Sequence, residues 1–149
     1  MYSYKTLVVG TDGSDTSLVA VRHAAAMARA FDATLVIVCA FYSNSGSLLN
    51  SPNRNVSTLP VVSDNRADEY LREAEAIARE EEVTDIKLER RSGTPVNALL
   101  AAVEDTSADA IVIGNKGMSS LTGRVFGNIP TEIARRSTCD VVLVQTEDK

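Results

Sequence analysis

Three glycines follow an apolar run in the last third of the chain. Gly114 closes the run ADAIVIG, Gly117 follows after two residues, and Gly127 follows after nine more. A glycine lets an anion approach the backbone closely because no Cβ stands in the way. Neighbouring N–H groups that are free of a strand ladder can then converge on a phosphate. The spacing favours a phosphate-binding loop, although a glycine-rich loop without a ligand fits the same spacing.

The residues after Gly127 predict a helix whose first turn would face the same anion. Pro130 suits the first turn of a helix, where its missing N–H is not needed. A helix N-terminus offers unpaired N–H groups and the positive end of the helix dipole. Segment 114–117 is therefore expected to hold one side of a phosphate, and segment 127–130 the other.

A carboxylate follows the first apolar run of the chain. Gly10, Thr11 and Asp12 come directly after the residues TLVV. Asp12 could accept hydrogen bonds from ribose hydroxyls or help to hold Mg²⁺. It could equally cap the next helix or accept from loop amides, and the sequence leaves both roles open.

The remaining side chains that could bind or react with a ligand give weaker signals. Lys116 and Arg124 are the cations of the glycine segment, and either could neutralise a phosphate. His23 lies on the first predicted helix, where no metal or catalytic role is expected. The sequence has no Walker loop and no Ser-His-Asp arrangement, so it predicts no catalytic residue and no fast hydrolysis. The hydroxyl residues expected to be plain loop residues are Ser119, Ser120 and Thr122.

Apolar runs alternate with helical periods along the chain. This alternation predicts an α/β fold, with a five-stranded parallel sheet and helices on both faces. The predicted strands are 6–10, 34–41, 86–91, 108–114 and 140–146, of which 86–91 alternates with charged residues and should be more exposed. The predicted helices are 15–31, 64–82, 95–105 and 128–137, and Thr94 is expected to cap the third of them ahead of Pro95. Residues 43–60, rich in Ser and Asn, predict a mobile loop.

The predicted fold places the candidate residues at one edge of the sheet. Ligands of such sheets bind beyond the carboxyl ends of the strands, where the strand order switches. This rule selects segment 10–14, segment 39–42 and the chain from Gly114 onward. Ser14 or Asp15 is expected to cap the first helix.

Composition excludes several classes of protein. The 149 residues include 15 basic and 20 acidic side chains, a net charge of −5, which argues against a general nucleic-acid binder. The basic run at 87–91 is interrupted by Glu89 and is expected at a solvated strand edge. No apolar stretch reaches the ~18 residues that span a bilayer. We therefore expect one cytoplasmic domain, 1–149, with Cys39 and Cys139 as buried, reduced thiols.

Taken together, these motifs resemble those of the universal stress protein family. The similar segments are VVGTDGSDTS near the start, SGTPVNALL at 92–100, DAIVIGNKG, the glycine spacing and the final VVLVQT. The resemblance covers the chain apart from 43–60 and implies a homodimer that pairs its last strand across a two-fold axis. The residues expected at that axis are Val141, Val142, Leu143 and Val144.

The resemblance is to the ATP-binding branch of the family, so it implies an adenine-nucleotide site. Thr11 and Asp12 would touch the ribose and the metal or phosphates, and Ala40 would line the adenine pocket. The other implied contacts are Gly10, Ile113, Gly114, Lys116, Gly117, Gly127, Asn128, Ile129 and Pro130.

One position departs from the family pattern, because Asn128 stands where Ser or Thr is usual. The chain also resembles short actinobacterial members, some of which bind cyclic AMP, whose single phosphate needs fewer contacts. ATP with Mg²⁺ and cyclic AMP both stay open. The leading hypothesis is a stress-response protein that senses or buffers an adenine nucleotide and acts on a protein partner. The rivals are a slow Mg²⁺-dependent ATPase or phosphotransferase and an interaction module that binds no nucleotide.

Overall fold

The computed structural model describes residues 3–42, 62–115 and 129–146. The strands are β1 (Thr6–Gly10), β2 (Thr34–Tyr42), β3 (Val62–Ser63), β4 (Ile86–Ser92), β5 (Ala110–Gly114) and β6 (Asp140–Val144). The helices are α1 (Asp15–Phe31), α2 (Asp64–Glu80), α3 (Pro95–Thr106) and α4 (Ile129–Arg136). The predicted loop at 43–60 lies outside the described residues.

The strands form one parallel sheet, whose five longer strands run in the order β4-β2-β1-β5-β6. The five predicted strands and four predicted helices are confirmed. The two-residue strand β3, which pairs with Phe41 and Tyr42, was not predicted. Two residues are too few to show a period of hydrophobicity, so the sequence gives no signal for β3.

Helices cover both faces of the sheet, as predicted. Buried alanines of α1 and α2 pack on one face, against side chains such as Leu7 and Ile37. Buried residues of α3 and α4 pack on the other face, against side chains such as Val36 and Ile111. The central strands β1 and β5 are consequently buried on both faces, which explains their unbroken apolar sequence.

Local polar groups fix where the helices start and stop. The predicted cap Ser14 accepts a hydrogen bond from the N–H of Ser17 at 3.2 Å. Thr94 caps α3 in the same way, ahead of the proline at the first helical position. The predicted end of α2 at 82 is wrong by two residues. The helix stops at Glu80 because Glu82 takes a left-handed conformation, with φ of 67°.

The two edge strands differ in character. Every position of strand β4 is half-buried or exposed, which confirms the prediction of a more exposed strand, and its Leu88 is 37% exposed. Strand β6 ends at Val144, two residues earlier than predicted, and its Leu143 is 57% exposed. Within the part of the chain described by the structure, no helix has the length and apolar character required to cross a membrane.

Candidate functional site

The strand order switches between β1 and β5. The two strands pair from Leu7–Ala110 to Val9–Val112, so the first and fourth of the predicted strands are neighbours. After β1 the chain enters α1 on one face, whereas α4, the helix that follows β5, packs on the other face. This divergence opens a crevice at the carboxyl edge of the sheet. We call it the β1–β5 crevice; Gly10 and Gly114 lie at the ends of its two strands.

The turn after β1 is held by the hydroxyl of Thr11. The N–H of Thr11 donates to the carbonyl of Val38 at 2.9 Å, which ties the turn to β2. Its Oγ1 lies 3.2 Å from the Oγ of Ser17 and accepts from the N–H of Gly13 at 3.1 Å. Thr11 is only 1% exposed, so its observed role is to brace the turn. Its contact with a ribose stays a prediction.

Asp12 is half-buried at the same turn. Its Oδ1 accepts a hydrogen bond from the N–H of Ser14 at 2.9 Å, so the loop-amide role foreseen for this carboxylate is observed. Among the described residues, Oδ2 has no hydrogen-bond partner and is available to a ligand. The described part of the chain contains no cluster of three metal-ligating side chains. A Mg²⁺ ion at Asp12 would therefore take most of its ligands from nucleotide phosphates and water.

The carboxylate of Asp12 also acts on the neighbouring strand. Burial raises the pKa of the Cys39 thiol to about 12, and the negative charges of Asp12 and Asp68 add to this rise. Cys39 is buried as predicted, and its protonated thiol is a poor nucleophile at neutral pH. The predicted burial of Cys139 is wrong. Cys139 is half-buried, because it lies in the turn that leads into the edge strand β6.

An apolar wall lies on the α3–α4 side of the crevice. Ala40, Ile113 and Ile129 belong to one buried cluster and are 7%, 6% and 9% exposed. Pro130 is half-buried in the first turn of α4. The structure thus brings these predicted residues of three separate segments to one side of the sheet. The predicted contacts that lie outside the described residues are Lys116, Gly117, Gly127 and Asn128.

Sequence reasoning missed several residues that shape the site. Ser17 is 2% exposed, and its hydroxyl bonds both the hydroxyl of Thr11 and the carbonyl of Ser14. Its position three residues after the cap Ser14 is a sequence signal that could have identified it. Asn115 and Thr146 contact each other across 31 positions of sequence, which no local pattern reveals.

The aromatic ring of Tyr70 supports the turn that carries Asp12. Gly13 has a φ of +83°, and a Cβ placed on it would lie 2.5 Å from the Tyr70 ring. The Tyr70 hydroxyl accepts a hydrogen bond from Arg66 at 2.9 Å, which helps to hold the ring in place. Helix α2 is thereby packed directly against the β1–α1 turn.

This packing makes Gly13→Ala a destabilising substitution. Left-handed strain and the clash with Tyr70 together should lower the free energy of unfolding by about 2–4 kcal/mol. Urea denaturation followed by circular dichroism measures this cost. In a Tyr70→Ala background the same substitution should cost only the backbone strain, about 1–2 kcal/mol. An equal cost in both backgrounds would show that the ring does not press on the turn.

Comparison with known proteins identifies the family. The model described as "Universal stress protein family" matches residues 3–145. The chain belongs to the universal stress protein family. Universal stress protein Rv1636 of Mycobacterium tuberculosis (strain H37Rv) is 36% identical over 152 residues, covering 98% of this chain and 99% of that relative.

Solved universal stress proteins share the fold. A universal stress protein crystallised in complex with cyclic AMP is 36% identical and superposes with a TM-score of 0.76, covering 98% of this chain and all of the other. A universal stress protein from Archaeoglobus fulgidus, solved in complex with dAMP, has a TM-score of 0.64 at 20% identity and covers 97% of this chain. The second likeness supports the fold alone, because its identity is low.

Proposed function

We propose that this universal stress protein binds an adenine nucleotide in the β1–β5 crevice. The observation that carries the proposal is the position of Asp12 at the end of β1, beside the strand that ends in Gly114. Its Oδ2 has no hydrogen-bond partner within the described ranges 3–42, 62–115 and 129–146. The crevice is the place where parallel α/β sheets bind ligands. The complex of a 36% identical relative with cyclic AMP supports the same class of ligand for this chain.

Each part of the crevice has a role in the proposal. Oδ2 of Asp12 accepts from a ribose hydroxyl or binds Mg²⁺, while Oδ1 keeps its bond to Ser14. The apolar wall of Ala40, Ile113 and Ile129 packs against the base and the sugar. The backbone of Gly114 approaches the phosphate closely, since it has no Cβ. The remaining predicted nucleotide contacts are Gly10, Thr11, Lys116, Gly117, Gly127, Asn128 and Pro130.

The ligand class narrows to two candidates. Cyclic AMP is the first to test, because it is the ligand of the 36% identical relative and its single phosphate needs few contacts. ATP with Mg²⁺ is the second, with Asp12 as the metal-binding side chain. We propose binding without fast turnover, since the sequence shows no residue that would position an attacking water.

The proposal extends to assembly and place in the cell. The protein is one cytoplasmic domain, 1–149, and forms a homodimer through β6. The apolar edge of that strand, with Leu143 57% exposed, supports the dimer because an uncovered apolar edge invites pairing. Bound nucleotide would report the metabolic state of the cell, and the dimer would pass this state to a partner protein.

Asp12→Asn tests the site with little disturbance of the turn. The amide oxygen can still accept from Ser14, but the negative charge is lost. Loss of a charge-assisted hydrogen bond should raise the Kd for cyclic AMP or Mg²⁺–ATP about tenfold. Isothermal titration calorimetry measures the change, and Asp15→Asn, an exposed carboxylate of the first turn of α1, is the matched control.

Mass spectrometry of freshly purified, denatured protein complements the titration by identifying a nucleotide that co-purifies. Equal Kd values for both variants and the wild type would remove Asp12 from the site. No saturable binding of either nucleotide at millimolar concentration by the wild type would refute the proposed function.

A further inference from the structure

We propose that Asn115 is a positioning residue for the phosphate group, acting through the end of strand β5. This inference rests on the proposed function and names a residue outside the predicted contacts. The N–H of Asn115 donates to the carbonyl of Val144 at 2.7 Å. Its Oδ1 accepts from both the N–H and the Oγ1 of Thr146 at 3.0 Å, and its Nδ2 donates to Oε1 of Gln145 at 2.7 Å.

These bonds lengthen the sheet beyond its last regular pair. The β5–β6 ladder ends at Gly114–Val144, and neither Asn115 nor Thr146 belongs to a strand. The carboxamide of Asn115 takes the place of a further backbone rung. Thr146 is only 6% exposed, so its two donors would lose their partner in a buried place if Asn115 were apolar.

The hydrogen bonds between Asn115 and residues 144–146, which we call the Asn115 clamp, fix the direction in which the backbone of Gly114 points. Backbone N–H and C=O groups alternate between the two sides of a strand, residue by residue. The N–H of Asn115 points to β6, so the N–H and C=O of Gly114 point to the opposite side, toward β1. The β1–β5 ladder ends at Val9–Val112, so Gly114 extends beyond its last pair and lies at the β1–β5 crevice.

The side chain of Asn115, fixed on the β6 side of β5, thus holds in place the backbone of Gly114, which faces the proposed ligand on the β1 side. Asn115 itself is turned to β6 by all of these bonds and is not placed in contact with the ligand. Without the Asn115 clamp, the end of β5 can move by part of an ångström. The strength of a hydrogen bond from the backbone to a phosphate falls steeply with such changes in distance. The base and sugar, which pack on the apolar wall, depend much less on this position.

The test compares a nucleotide with its nucleoside. Asn115→Leu keeps a similar side-chain size and removes the acceptor and donor groups. We expect its Kd for cyclic AMP to rise about tenfold, the effect of about one charge-assisted hydrogen bond. Its Kd for adenosine, measured by NMR titration, should change less than about twofold, because adenosine has no phosphate. Thr106→Val removes the hydrogen bond from the Thr106 hydroxyl to the carbonyl of Ala102 in the last turn of α3, far from the crevice, and is the control for general loss of stability.

A second pair of variants keeps the test decisive if Asn115→Leu does not fold. Thr146→Val removes the Oγ1 donor, whereas Thr146→Ser retains it. Thr146→Val should weaken cyclic AMP binding about threefold, and Thr146→Ser should bind like the wild type. Unchanged cyclic AMP binding in Asn115→Leu and Thr146→Val would overturn the positioning role of Asn115. An equal loss of cyclic AMP and adenosine binding would also overturn it, and either result would leave the proposed function intact. A wild type that binds neither nucleotide overturns the proposed function itself, and this inference with it.

Discussion

Gly117→Val is expected to raise the Kd for cyclic AMP and for ATP by at least about a hundredfold, which corresponds to about 2.7 kcal/mol of lost binding free energy. Gly117 is the middle glycine of the spacing that begins at Gly114 and ends at Gly127. A branched side chain would stand between the phosphate and the peptide amides that the proposal assigns to it. Two lost charge-assisted hydrogen bonds account for an effect of this size.

The same segment supplies the control. Gly123 lies between Gly117 and Gly127 but outside the spacing, so Gly123→Val should leave the Kd within about threefold of the wild type, a difference under about 1 kcal/mol. Calorimetric titration measures both variants, and circular dichroism shows whether each one is folded. Wild-type affinity in folded Gly117→Val would favour the rival reading, in which the glycines only shape a loop.

Leu143→Glu is expected to convert the proposed dimer into a monomer at micromolar concentration. Leu143 is 57% exposed on the edge strand β6, where only Asp140 carries a charge. Two-fold pairing of this strand would bring the two new carboxylates close together while also removing the apolar contact. Like charges on facing strands and a lost buried leucine together should weaken the dimer about a hundredfold or more.

The opposite edge of the sheet provides the matched control. Leu88 on β4 is also exposed, at 37%, but its neighbours Lys87 and Glu89 are charged, as is typical of edges that avoid pairing. Leu88→Glu should therefore keep the wild-type mass in sedimentation velocity. If Leu143→Glu remains a dimer, or if Leu88→Glu dissociates, the interface does not lie on β6.

Much of the fold could be predicted because its signals are local. Strands buried on both faces, such as β1 and β5, leave unbroken apolar runs, and amphipathic helices leave a clear period. The strand-end rule then locates the crevice without any motif, and it places Asp12 beside the strand of Gly114. Cap residues such as Ser14 and Thr94 were also predictable, since a cap lies next to the helix that it starts.

The missed features depend on contacts between distant parts of the chain. Tyr70 approaches Gly13 only because α2 packs beside the β1–α1 turn. Asn115 meets Thr146 only because β5 and β6 are neighbours and end at the same level. The half-buried state of Cys139 follows from the edge position of β6, whereas its apolar neighbours in sequence predicted burial. Sequence patterns report which face an element buries, but not which side chain stands opposite.

Titration of the ¹⁵N-labelled protein with cyclic AMP, followed in amide NMR spectra, tests the location of the nucleotide most directly. We expect saturable shifts for the amides of Gly10, Asp12 and Gly114, at the carboxyl edge of the sheet. The amides of Asp32 and Thr84, which precede β2 and β4 at the other edge, should stay in place. Shifts confined to that other edge, or no shifts at millimolar ligand, would contradict a nucleotide site in the β1–β5 crevice.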